Sequence, residues 1–364
     1  MPERQHVPFL TDMYPEQNRH SLQDNGEVTA APAVTLFDPA TFSRRLNAKI
    51  LGQQHAVDAV IRALSIAHIG AADSDRPLSS VLLVGPTGVG KTELVRQVAA
   101  ELRSGPDDLC RIDMNSLAQE HYAASFSGAP PGYAGSKESF TLFDKAKVEG
   151  GPYTPGVVLF DEVEKDHAAV IRALLQVLDT GLLRLANGKE VISFRNSYIF
   201  LTSNIGSDQA AARQRAQRKV TLRRWWTSRW RGSDTASRRA RNLTIQSVEK
   251  FFDPEFYNRI DETVVFDALD AGTAELVTRK EIDGLVRKLK RRNVHLEVDA
   301  CVVHLLRRVG FDPVYAARGL RRAIRNMTEP VAHYVISRGA SDGPLRVLAT
   351  LDGDAVRCTA LPGH

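Results

Sequence analysis

The chain has 364 residues, 43% hydrophobic and 25% charged, the make-up of a globular protein with room for two or three cores. Its formal net charge is +5, yet residues 209–241 hold eleven basic side chains against one acid, Asp234; that window carries +10 and the rest of the chain −5. Three separated cysteines (Cys110, Cys301, Cys358) argue against a disulfide framework or a zinc site. No stretch approaches the roughly 18 apolar residues of a spanning helix, and the N-terminus shows no signal-peptide pattern; a cytoplasmic location is the expectation. The absence of His-Glu-x-x-His, Gly-x-Ser-x-Gly and Gly-x-Gly-x-x-Gly removes the usual support for a metalloprotease, a serine hydrolase or a dinucleotide oxidoreductase.

Residues 1–40 are polar and aperiodic and read as a tail. Residues 41–70 place Ala56, Val57, Val60, Ile61 and Leu64 at helical spacing. Short apolar runs follow at 81–84, 109–112, 157–160, 198–201 and 263–266, several of them apolar throughout, as strands covered on both faces must be. Helical segments, for example 91–103 and 167–179, separate them, so this half reads as an α/β fold on a parallel sheet over 41–268. Beyond 268 the strand signal fades. Ile282, Leu285, Val286 and Leu289 share a helical face, and 300–309 and 318–338 also read as helices. A smaller, mainly helical domain over 269–350 and a tail over 351–364 are expected.

Gly85, Pro86, Thr87, Gly88, Val89, Gly90, Lys91 and Thr92 match Gly-x-x-x-x-Gly-Lys-Ser/Thr between a strand and a helix. Glycines there let backbone N–H groups wrap phosphates, and the helix N-terminus adds a favourable dipole. In such a loop Lys91 reaches the β- and γ-phosphates of ATP and the Thr92 hydroxyl ligates Mg²⁺. The strand 157–160 ends in Asp161 and Glu162, two carboxylates that are costly there unless they meet a cation or a reacting proton. Asp161 is expected to hold Mg²⁺ and Glu162 to act as general base toward water. The strand 198–201 leads to Asn204, a polar side chain placed to sense the γ-phosphate; a plain strand-ending asparagine is the competing reading.

These residues stand in a longer series: Gly128-Ala-Pro-Pro-Gly-Tyr133-Ala-Gly135, Asp161-Glu-Val-Glu-Lys165, Leu174-Leu-Gln-Val-Leu-Asp179, Phe194-Arg-Asn196, Thr202-Ser-Asn-Ile-Gly-Ser-Asp208, Phe252-Asp-Pro-Glu-Phe-Tyr-Asn-Arg259-Ile-Asp261 and Gly310-Phe-Asp-Pro-Val-Tyr-Ala-Ala-Arg318. From about residue 41 to 338 the chain resembles the second ATPase module of ClpA/ClpB-type Clp chaperones, in the AAA+ superfamily. The resemblance implies a P-loop ATPase domain followed by a small helical lid. It implies that Leu51 and Gly52, with Gln53, lie beside the adenine, and that Asn204 is the sensor asparagine. It also makes Arg259 the arginine finger that reaches a neighbouring subunit's nucleotide, and Arg318 the lid arginine. Tyr133 would then grip polypeptide in the pore of a hexameric ring, where a two-torsion aromatic packs on many side chains.

The chain departs from the family in several places. Ala134 stands for the usual valine, Ala316 for a glycine and Leu182 for an arginine, and Ser116, Gln119 and Ser125 replace familiar positions. The sequence reads as a single ATPase module, and no counterpart of the family's first ATPase module, middle domain or N-terminal domain is expected in it. The interval 209–241 lacks the Ile/Leu-Gly-Phe/Leu tripeptide that docks on a peptidase, so a peptidase partner is not expected. The leading expectation is an ATP-driven, Mg²⁺-dependent protein unfoldase or remodelling chaperone. A nucleic-acid-associated motor is the alternative, since Trp225, Trp226, Trp230 and the arginines of the insert suit stacking and phosphate contact. A solvated loop or a protein-docking surface explains the insert as well. A non-hydrolysing scaffold is argued against by intact Lys91, Asp161, Glu162, Asn204 and Arg259.

Overall fold

The computed structural model describes residues 37–70, 73–117, 126, 142–151, 153–165, 168–185, 190–205, 233–311, 318–338 and 344–360. They form two units. In the larger, helices α1 (Pro39–Lys49) and α2 (Gln54–His68) precede strand β1 (Ser79–Val84) and helix α3 (Lys91–Leu102). The chain continues through β2 (Cys110–Asp113), α4 (Lys145–Glu149), β3 (Gly156–Asp161), α5 (Ala168–Thr180), β4 (Leu182–Arg184), β5 (Val191–Ser193) and β6 (Ser197–Ser203). Helices α6 (Ser233–Phe251) and α7 (Pro254–Tyr257) and strand β7 (Glu262–Val265) complete it. Five strands make one parallel sheet in the order β2-β3-β6-β1-β7.

Every position of β1, β3 and β6 is buried, the burial that their unbroken apolar runs demand. Alternate residues serve opposite faces. Leu82, Val84, Val158, Phe160, Ile199 and Leu201 join Leu174, Val177 and Leu178 of α5 in one core. Phe143 sits at its centre, with its ring 5.2 Å from Phe126 and 5.6 Å from Phe194, both edge-on. On the other face α3 packs against β3 and β6. The chain leaves β1 in one direction and later adds β7 on its far side, so the strand order reverses at β1. In open α/β sheets ligands bind at such a reversal, beyond the carboxyl ends of the strands.

The expected helix over 41–70 is two helices, broken at the Leu51–Gly52 turn, where Gly52 takes φ +72°. The antiparallel pair β4–β5 had no sequence signal, because three-residue strands give too short a period. Part of the basic window, from Ser233 onward, is the start of α6; residues 206–232 lie outside the described set.

The smaller unit, from Asp267, contains α8 (Ala271–Lys290), β8 (Val294–Val298), α9 (Ala300–Gly310), α10 (Arg318–Arg338), β9 (Leu345–Asp352) and β10 (Ala355–Ala360). Its helices were expected; its three-stranded sheet, β10-β9-β8, was not. The stretch read as a tail from residue 351 holds the end of β9 and all of β10, paired antiparallel. These strands bury one face only. Val294, Leu296, Val347 and Ala349 meet Val331 of α10, while His295, Glu297, Arg346 and Arg357 are exposed. Helices α9 and α10 approach closely: a Cβ at Gly319 would lie 2.6 Å from the Gly310 carbonyl oxygen, so the residue following Arg318 must be glycine. No described helix is long and apolar enough to cross a membrane.

Candidate functional site

The carboxyl ends of β1, β3 and β6 bring together the charged and polar groups singled out in the sequence. The loop from β1 to α3 carries three left-handed glycines, Gly85 (φ +145°), Gly88 (φ +79°) and Gly90 (φ +107°). At Gly85 a Cβ would stand 2.6 Å from the Phe266 carbonyl oxygen, so no side chain fits there. Gly90 caps α3 without a side chain, which leaves the first-turn N–H groups facing the loop. Lys91 and Asp161 are each only 7% exposed. Charges so buried need partners. Lys91 Nζ donates to the Gly85 carbonyl (2.6 Å) and to Asn204 Oδ1 (2.9 Å). Thr92 Oγ1 lies 3.4 and 3.5 Å from the two Asp161 oxygens. Thr202 Oγ1 and the Arg111 guanidinium also donate to Asp161.

Glu162 follows in a left-handed conformation, φ +64°, which is strained for a residue with a side chain and concentrates at functional sites. Its amide donates to Thr202 Oγ1 at 3.0 Å, so one hydroxyl ties down both neighbours of the β3 terminus. Beyond it, a 3-10 turn over Val163–Lys165 presents Glu164. Glu164 Oε1 accepts from the Asn204 amide N–H (3.0 Å) and from Asn204 Nδ2 (3.1 Å).

Lys91, Thr92, Asp161, Glu162 and Asn204 thus lie together at the strand ends. Leu51 and Gly52 sit in the turn before α2, a helix that packs on β1 and β7. Arg259 stands apart. Its carbonyl accepts from Arg76 (2.8 Å) and Ser80 (2.9 Å), and its half-exposed guanidinium pairs with Asp179 at 3.1 Å. Arg318 is the first residue of α10. Tyr133 lies outside the described residues, as do Trp225, Trp226 and Trp230. Sequence reasoning assigned no role to Arg111, Thr202 or Glu164. Each had a signal: an arginine inside an apolar run, a hydroxyl at the end of a buried strand, and a second acid two residues beyond the strand-end pair.

A phosphate-wrapping loop, a buried lysine and a strand-end carboxylate pair on this sheet order define an ATPase of the AAA+ class. The model of the AAA domain (Cdc48 subfamily) matches residues 76–263, and that of the C-terminal, D2-small domain of ClpB protein matches 269–345. An ATP-dependent protease ATP-binding subunit-like protein of Rhodococcus erythropolis is 58% identical over 98% of this chain and 100% of its own length. A similarly named protein, AmiB, of Pseudomonas aeruginosa is 38% identical over 96% of this chain and 99% of its own. The chaperone ClpB of Oceanobacillus iheyensis is 36% identical over 81% of this chain, which spans 35% of that longer protein. A closed-state reconstruction of Hsp104 with ATPγS and FITC-casein matches with TM-score 0.71 and 27% identity, over 89% of this chain and 52% of that one. The chain belongs to the Clp ATPase family, as a second-type AAA+ module with its small domain.

Proposed function

We propose that this ATPase is a protein unfoldase or remodelling chaperone that works in the cytoplasm as a ring of identical subunits, six by resemblance. The observation that carries the reading is the convergence of Lys91, Asp161, Glu162 and Asn204 at the strand ends, in a chain of Clp kinship. Full-length relatives named as protease ATP-binding subunits, and an Hsp104 structure holding casein, support a polypeptide substrate.

In this reading the loop N–H groups and Lys91 bind the ATP phosphates, with Leu51 and Gly52 beside the base. Thr92 and Asp161 offer a hydroxyl and a carboxylate, hard oxygen donors that suit Mg²⁺, which would supply charge neutralisation at the β- and γ-phosphates. Glu162 takes the proton of the attacking water, and Asn204 orients that water against the γ-phosphate. Arg259 of a second copy, released from its Asp179 pair, meets the charge that spreads over the phosphoryl oxygens. Arg318 transmits the nucleotide state from the small unit, and Tyr133 grips the polypeptide.

The test is ATP turnover by the full chain with and without casein, and with single-stranded nucleic acid in parallel at fixed salt. Casein is expected to raise turnover, and Tyr133→Ala to remove that rise while leaving the basal rate unchanged. Stimulation by nucleic acid alone, with Tyr133→Ala behaving as the parent, would overturn the reading in favour of a nucleic-acid motor.

A further inference from the structure

We propose that Glu164 is the positioning residue for Asn204, acting as a clamp that aims the amide of that residue at the Lys91–phosphate site. The inference rests on the reading of Asn204 as the γ-phosphate sensor, and adds a residue to that machinery.

A side-chain amide carries an acceptor on one side and two donors on the other, and the torsion that swaps them is soft. A sensor asparagine must therefore be told which way to face. Here two neighbours of opposite charge do so. Lys91 Nζ can only donate, and it meets Oδ1 at 2.9 Å. An ionised Glu164 can only accept, and its Oε1 meets Nδ2 at 3.1 Å. The flipped amide would set N–H against ammonium and carbonyl against carboxylate, two repulsions in place of two bonds. The same Oε1 also takes the Asn204 backbone N–H at 3.0 Å, which fixes the residue at both ends just as the chain leaves β6.

Glu164 has the environment of a residue kept for such a task. Its Oε2 is buried and accepts no hydrogen bond among the described residues. A buried carboxylate oxygen left unsatisfied costs stability, and a residue serving stability alone would not retain it. The clamp also spans two elements. Glu164 lies on the turn immediately after Asp161 and Glu162, where the Lys165 amide closes on the Glu162 carbonyl at 3.0 Å. A shift of the Glu162 backbone is thereby passed to Asn204, and Thr202 provides a parallel tie one level deeper.

The experiment is a double-mutant cycle on the full chain: Glu164→Ala, Asn204→Ala and both together. It reads kcat at saturating Mg·ATP, the Kd of a fluorescent ATP analogue, and the melting temperature. Glu164→Ala is expected to lower kcat by about 10- to 100-fold while the analogue Kd stays within about threefold. The double variant should be no slower than Asn204→Ala alone, because a clamp has nothing to act on once the amide is gone. Glu164→Gln, whose Oε1 still accepts both N–H groups, should recover turnover to within about fivefold of the parent. If Glu164→Ala does not fold, Glu164→Asp replaces it with the same expectations, since it keeps the charge but withdraws the oxygen by a methylene. Parental turnover in Glu164→Ala, or a double variant slowed by the product of the two single losses, would overturn the proposal. Parental turnover in Asn204→Ala would instead remove the sensor reading on which it rests.

Discussion

The two sheets of this protein solve different problems. The parallel sheet of the larger unit is covered on both faces, and β1, β3 and β6 are buried at every position. Side chains in the middle of those strands are apolar and the polar ones lie toward the strand ends, where Thr202 and Thr92 donate to Asp161 and Lys91 donates to Asn204. The three-stranded sheet of the smaller unit buries one face and leaves the other wet, with His295, Glu297, Arg346 and Arg357 spaced along it. Its polar residues are spread along the strands, and their ion pairs, such as Arg357 with Asp352, are largely exposed. Burial on both faces concentrates chemistry at an edge; burial on one face disperses it.

The sharpest way to break this comparison is to remove the concentrated charges. Lys91→Ala should abolish nucleotide binding and lower turnover by at least about 10²-fold, whereas Glu162→Gln should bind ATP normally and lose about 10²- to 10³-fold in kcat. Nucleotide titration and steady-state turnover separate the two, and normal turnover in Glu162→Gln would remove it as the base.

Packing gives the next effect. Phe200→Ala in β6, at a fully buried position, should cost about 3–5 kcal/mol in the denaturant transition of the larger unit. Leu348→Ala, on the wet face of β9, should cost at most about 1 kcal/mol. Equal costs would mean that the two sheets are not buried differently.

The smallest contrast uses two left-handed glycines. Gly353→Ala, with φ +65° and nothing within 4 Å of the added carbon, should cost only about 1 kcal/mol of backbone strain. Gly85→Ala adds a clash with the Phe266 carbonyl to its strain and should cost about 2–3 kcal/mol together with weaker nucleotide binding. Melting temperatures and ATP-analogue affinity check both.

Legibility in the sequence followed burial. The five strands of the large sheet could be read within a residue or two because unbroken apolar runs such as Val157–Phe160 have few other uses. The small sheet escaped notice because Val294–Val298 and Ala355–Ala360 mix exposed polar residues into short strands, and the second of these follows a turn that looks like an ending. Within the site, Lys91, Thr92, Asp161 and Glu162 were legible because phosphate chemistry demands those residues at that spacing. Glu164 was visible only as the second acid of Asp161-Glu-Val-Glu; its partner, Asn204, is forty residues away and meets it only across paired strands.

The sequence by itself therefore determined the phosphate loop, the carboxylate pair, the Clp kinship and where along the chain the buried strands fall, because each depends on local residue type and short-range period. Tertiary structure alone decided that β6 lies between β3 and β1, which brings Asn204 to Lys91 and Glu164. It also decided that Arg259 faces Asp179 and that Ala355–Ala360 adds an edge strand to the small sheet. These are pairings between distant segments, and they are set by how whole faces are covered from water rather than by any spacing along the chain.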